Sequence, residues 1–342
     1  MNNPFRDIAY EVIMALILIV GGTSCNHTGD NVLSAKVIRL ETGLVSYDSL
    51  TEQRRSILTD SLTAGYDDML SYFRERGLAD SSVISQPNLE KSLAEFAHNP
   101  IITVFGPDVM KRYVSVDTVA FSLGGVDKNI ALLLPEVKVL PYYTFITPYK
   151  TPYFATPRGM YIALNHYLGS DYEGYDGFPD YLVRNMRPEM IPYDVTDAYI
   201  RIYYPLSGYE SATALARMIY EGAIVYAKMK CVPDASLHDA LGYTQDELER
   251  LHDNESDVWG RLVSGELLYT TDTGKILGLT SVSPSSSFFS DEIPGGAGRY
   301  IGYRIVERYL ENDKDATLDS LLKSDLSSEA VDILRLSRYI GK

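Results

Sequence analysis

Basic charge, histidine and long apolar runs are all scarce in this chain, and each scarcity excludes something. Its 342 residues carry 31 Lys and Arg against 46 Asp and Glu, a formal charge of −15. Phosphate contacts need a basic patch, so a nucleic-acid partner is excluded, and with it electrostatic adhesion to anionic lipid. The five histidines are His27, His98, His166, His238 and His252, and none stands three or four residues from another. That spacing denies a helical pair of zinc ligands, and neither metal nor cofactor is expected. No G-x-S-x-G elbow is present. Gly295-Gly296-Ala297-Gly298 and Gly302 lack the Lys-Ser/Thr of a phosphate loop. They read instead as a tight helix start packed closely on a neighbour, with Ile301, Ile305 and Val306 buried. No stretch reaches 18 uninterrupted apolar residues, so no spanning helix is expected.

The first 25 residues carry the clearest signal. A polar start with Arg6 precedes nine apolar residues at 12–20, a signal-peptide core too short to cross a bilayer. Gly21-Gly22-Thr23-Ser24-Cys25 then fits a lipobox, with Gly22 where Leu is usual. The expected organisation is a lipoprotein signal peptide at 1–24, a lipidated Cys25 with a small polar tether to 35, and a domain over 36–342. Acyl groups on Cys25 anchor the protein in the cell envelope, with the outer membrane as the expected site. With Cys25 acylated, Cys231 has no partner for an intramolecular disulfide and reads as inert packing.

Periodicity predicts a predominantly helical α+β domain. Residues 36–41, 137–147 and 160–164 read as strands, and 149–159 as a proline-bearing loop. Helical patterns cover most of 49–98, then 127–134, 181–186, 192–204 and 211–230. A capping box opens another at 244–268, and 298–311, 318–323 and 328–336 follow. Asn99-Pro100 reads as a helix end.

Candidate chemistry is thin. The helix at 215–229 places Glu221 where a zincin H-E-x-x-H helix has its general base, but Tyr220 and Ile224 stand at both ligand positions. Glu221 is therefore the candidate catalytic residue, in a hydrolase reading that is the alternative to a binding role. Spacing gives no support to a metal gathered by His166, Glu221 and Glu255. Tyrosine is frequent, 27 against 10 Phe. Its cluster around Tyr142 and Tyr143 suits a peptide or glycan groove, and residues 142–146 are the strand expected to pair an extended segment. The candidate binding set is Tyr142, Tyr143, His166, Glu221 and Glu255.

Several stretches in order resemble one family. They are Ile162-Ala163-Leu164-Asn165-His166-Tyr167-Leu168-Gly169, Phe178-Pro179-Asp180-Tyr181-Leu182, and Met218-Ile219-Tyr220-Glu221-Gly222-Ala223-Ile224-Val225-Tyr226. Leu241-Gly242-Tyr243-Thr244, Asn254-Glu255, Val258-Trp259, Pro294 to Gly302 and Leu336-Ser337-Arg338-Tyr339 follow. Together they resemble the GldB-like gliding-motility lipoproteins over nearly the whole mature protein. The resemblance implies a zincin-like single domain with a small sheet, a decayed peptidase whose ligands are lost. It also implies a non-enzymatic envelope lipoprotein that binds a protein or peptide partner. Relatives are expected to carry Asp at position 165 and His at 220.

Overall fold

A computed structural model describes residues 33–75, 89–148 and 150–342, of which Leu33–Lys342 form one compact unit. The expected signal peptide, Cys25 and the tether as far as residue 32 lie outside the described residues, as does Tyr149.

The polypeptide enters through β1 (Val37–Arg39) and turns directly into α1 (Leu40–Val45). The expected strand at 36–41 is thus shorter, because Leu40 and Leu44 are drawn into the core at helical spacing. The helices α2 (Glu52–Glu75), α3 (Leu89–Ala97), α4 (Pro100–Arg112) and α5 (Asp117–Leu133) follow. Asn99-Pro100 ends one helix but also starts the next: Asn99 Oδ1 accepts from Ile101 N at 3.0 Å, and Pro100 sits in the first turn of α4. The helix expected at 127–134 is the second half of α5. Its first half, with Gly124 and Gly125, is held by tertiary contact: Gly124 sits against the Leu33 backbone and Gly125 against Pro233.

The sheet holds β2 (Tyr142–Phe145), β3 (Tyr153–Thr156) and β4 (Gly159–Ala163) in the order β1-β2-β4-β3. The first three in that order run parallel, and β3 pairs antiparallel with β4, Tyr153 opposite Ile162. Two corrections follow. The strand expected at 137–147 shrinks to four residues, and the expected loop at 149–159 contains β3, because its prolines lie outside the paired residues. Tyr142–Phe145 is also an interior strand, flanked by β1 and β4, so the edge pairing expected there has no free edge to use. Among the described residues, the free edge next to β4 belongs to β3.

Strand alternation sorts the aromatics. Tyr143, Tyr161 and Phe154 are register neighbours on one face, with ring centroids 4.8 and 4.4 Å apart, and Tyr72 of α2 stacks on Phe154 at 3.9 Å. Cross-strand ring pairs of this kind contribute about 0.5–1.5 kcal/mol each beyond their buried area. The abundance of tyrosine is therefore partly a packing device.

The remaining helices are α6 (Asp180–Val183), α7 (Ile191–Tyr203), α8 (Ala214–Cys231), α9 (Leu237–Leu241), α10 (Gln245–Asp253), α11 (Glu255–Ser264), α12 (Thr273–Thr280), α13 (Ala297–Asn312), α14 (Leu318–Lys323) and α15 (Leu326–Ser337). The pattern at 244–268 resolves into α10, α11 and a short turn, opened by the expected capping box between Thr244 and Glu247. Helix α8 is the hub, buried nearly all round and touched by α5, α7, α12, α13 and α15. Its approach to α13 is at backbone distance. A Cβ at Gly222 would lie 2.0 Å from the Gly302 carbonyl carbon, and one at Gly302 would lie 1.7 Å from Met218 O. Gly296, at φ +76°, makes the turn that opens α13, and Ile301, Ile305 and Val306 are fully buried. The reading of these glycines as a packing device agrees with that geometry.

Candidate functional site

Helices α7 and α8 contribute a group of charged side chains that runs from the surface at Arg201 to buried Lys228. On α7, Val195, Ala198, Tyr199 and Ile200 face the core, while Asp194, Asp197 and Arg201 recur at i, i+3 and i+7 on another face. Thr213 caps α8 by accepting from Ala216 N at 3.3 Å, and its two charged contributors, Glu221 and Lys228, stand at i and i+7. Arg299, in the first turn of α13, completes the group. All six line a cavity of about 370 Å³.

Within it the charges are unevenly satisfied. Arg201 donates to both Glu221 oxygens, at 3.0 and 2.8 Å, and through Nε to Asp197 at 2.8 Å. Burial disfavours the Arg201 cation, but Asp197 and Glu221 outweigh that and hold it above its usual range. Burial likewise pushes Asp197 up, yet Lys228 and Arg201 bring it below the usual carboxylate value. Asp194 accepts from Tyr167 OH at 2.7 Å. Burial dominates there and raises its pKa to about 6, against the opposing pull of Lys228 and that hydrogen bond. Lys228 is 6% exposed and its pKa is depressed, first by burial and with Arg299 opposing its charge. Its Nζ lies 3.9 Å from Asp197 Oδ1 and makes no hydrogen bond among the described residues. Arg299 spends Nη1 on Leu241 O at 3.0 Å and Nη2 on Ala240 O at 3.4 Å.

The free edge of the sheet reaches the same charges. Ala163 N donates to Pro152 O, which makes that residue pair the hydrogen-bonded kind. By alternation along an antiparallel ladder, Tyr153 and Ala155 turn their N–H and C=O groups outward. Helix α7 packs against β3. Burial raises the Tyr153 hydroxyl pKa, and the nearby charges of Asp197 and Asp194 add to it.

The residues expected from sequence are scattered. Glu221 has both carboxylate oxygens held by Arg201, which removes it as a free general base. Tyr220 is buried and donates to Tyr204 O at 3.0 Å, and Ile224 is buried as well, so the two positions where a zincin helix would carry its ligands are packing residues here. Glu255, 3% exposed, is a structural knot: it accepts from Tyr300 OH at 2.8 Å, Tyr339 OH at 2.9 Å and Arg304 Nε at 3.2 Å. His166 is half-buried in the turn after β4. Tyr142 is fully enclosed, its hydroxyl donating to Asp127 at 2.5 Å and 3.0 Å from Tyr199 OH, while Tyr143 lies in the aromatic stack. Tyr142 is therefore closed off from any groove, and Tyr143 is half-buried in the stack. Asn165 accepts from Thr147 N at 3.0 Å and donates to Thr147 O at 2.8 Å, and a carboxylate could not supply the donor. Among the described residues, no three His, Cys, Asp or Glu side chains gather as a metal site. Sequence reasoning missed Asp194, Asp197, Arg201, Lys228 and Arg299. Three charges at helical spacing within the pattern at 192–204, and one lysine in the apolar run of α8, were the available signals.

Fold and site together define a mostly helical α+β domain with a partly buried charge cluster between its helices. Residues 26–341 match the family model described as gliding motility protein GldB, and the chain belongs to this family of gliding-motility lipoproteins. Membership implies lipid anchoring. None of the described helices is long and apolar enough to cross a membrane. No curated protein and no solved structure matches the sequence.

Proposed function

We propose that this protein is an outer-membrane lipoprotein, held by acyl groups on Cys25, that binds an extended segment of an envelope protein along β3. The observation that carries the reading is the free antiparallel edge. Tyr153 and Ala155 offer backbone donors and acceptors there, and the Tyr153 hydroxyl feels the charges of Asp197 and Asp194, which line the cavity of α7 and α8. Strand addition supplies main-chain hydrogen bonds, and the neighbouring cavity supplies a side-chain subsite. The domain is read as a degenerate, zincin-like peptidase scaffold that retains a substrate-type edge without its chemistry. The Arg201 clamp on Glu221 supports a binding role over hydrolysis.

The test is photo-cross-linking in living cells with p-benzoylphenylalanine in place of Ala155. Val331, 52% exposed on α15, serves as the control position. A discrete adduct at position 155 that is missing at 331 is the expected result. Indistinguishable patterns at the two positions refute edge binding.

A further inference from the structure

Lys228 is out of keeping with its surroundings. An ammonium removed from water normally makes close hydrogen bonds to a carboxylate or carbonyl, because the cost of desolvating an unpaired charge is several kcal/mol. Lys228 is only 6% exposed, borders the cavity, and has 3.9 Å to its nearest carboxylate oxygen. The other carboxylates around the cavity are already engaged. Both Glu221 oxygens and one of Asp197 are taken by Arg201, Asp239 is bound by Arg187, and Asp194 is held by Tyr167. Arg299 borders the same cavity and directs two of its nitrogens to backbone carbonyls rather than to an acid. Besides Arg201, which is engaged by Asp197 and Glu221, two cations thus share the cavity, close enough for Arg299 to disfavour the Lys228 charge. Among the described residues neither is hydrogen-bonded by a carboxylate, and Asp197 comes no nearer to Lys228 than 3.9 Å.

We infer that this cavity takes a carboxylate from the peptide bound along β3, placed between Lys228 and Arg299. The inference rests on the edge-binding reading above. A singly charged carboxylate suits the site better than a phosphate dianion, which would meet the four acids Asp194, Asp197, Glu221 and Asp239 at the cavity wall. Its arrival gives the Lys228 ammonium, which borders the cavity, close charge-assisted hydrogen bonds. The carboxylate has two sources to choose between, the free C-terminus of a peptide or an Asp or Glu side chain.

Three pools of N-terminally fluorescein-labelled hexapeptides of random neutral sequence distinguish these sources by anisotropy against the full lipidated protein in detergent. One pool ends in a free carboxylate, one in an amide, and one is amidated with a single internal Glu. At least tenfold tighter binding of one carboxylate pool than of the neutral amide pool is expected, and the better pool names the source. Lys228→Met should abolish that preference while leaving the weaker amide-pool binding, and Lys228→Arg should restore most of it. Met is unbranched and only one atom shorter than Lys, and the side chain it replaces makes no hydrogen bond among the described residues, so the variant should fold. Equal affinity of all pools, or a preference that survives in Lys228→Met, overturns the carboxylate site without touching edge binding. No binding to any pool, with the cross-link at position 155 intact, also overturns it. Loss of that cross-link points instead to failure of the edge reading.

Discussion

Replacing Gly302 by Ala tests the central packing of the domain. The new Cβ would lie 1.7 Å from Met218 O, whereas ordinary contact begins at 3.4 Å, so α8 and α13 must separate by 3.4 − 1.7 = 1.7 Å. The obstruction is the backbone of a second helix and cannot swing aside as a side chain would. Overpacking that forces backbone shifts costs about 1–3 kcal/mol, and this case belongs near the upper figure. Exchanging Gly for Ala inside a helix returns about 1 kcal/mol of propensity, leaving a net loss of about 2 kcal/mol. Gly260 on α11 is the matched control, with nothing within 4 Å of an added Cβ. Gly260→Ala should therefore gain about 0.5–1 kcal/mol. Urea denaturation of the two variants, followed by far-ultraviolet circular dichroism, should separate them by about 3 kcal/mol on opposite sides of the parent. A Gly302→Ala protein as stable as the parent would refute the argument that backbone contact, rather than side-chain packing, sets the α8–α13 distance.

Two further outcomes follow from buried titratable groups. The folded Asp194 has its pKa raised from 3.8 to about 6, so between those values the native protein keeps a proton that the unfolded one has released. Its contribution is then greatest below about pH 4 and falls by about 3 kcal/mol as pH rises through 6, at about 1.4 kcal/mol per pH unit. In Asp194→Asn that dependence should vanish, so stability curves parallel to the parent between pH 4 and 7 would contradict the assignment. Cys231 is fully buried and burial pushes its thiol up to about 12, so a maleimide at pH 8 should label it only after unfolding. Mass spectrometry of the Cys231 peptide reads this directly, and rapid labelling of the native protein would mean that the end of α8 opens.

Legibility from sequence followed the range of the interactions. The capping box at Thr244, the boundaries of α14 and the pattern of α7 and α8 arise within a few residues, and their residue types carried them. Asn99-Pro100 had the right chemistry but two readings, since the same pair serves as the end of α3 and the cap of α4. Strand β3 was hidden because a four-residue edge strand between prolines has almost no periodic signal. Only β4 makes it a strand.

By itself the sequence determined the acidic balance, the lipobox pattern at Cys25, the helical majority and the order of motifs that marks the family, since these need only composition and local spacing. The tertiary structure alone decided that Tyr142 lies in an interior strand and that Glu255 is a structural knot. It also decided that Arg201 occupies Glu221 and that Lys228 faces a cavity with its nearest carboxylate among the described residues 3.9 Å away. Pairing across tens of residues depends on which helix faces cross and how closely glycines let them approach, and no local pattern encodes that.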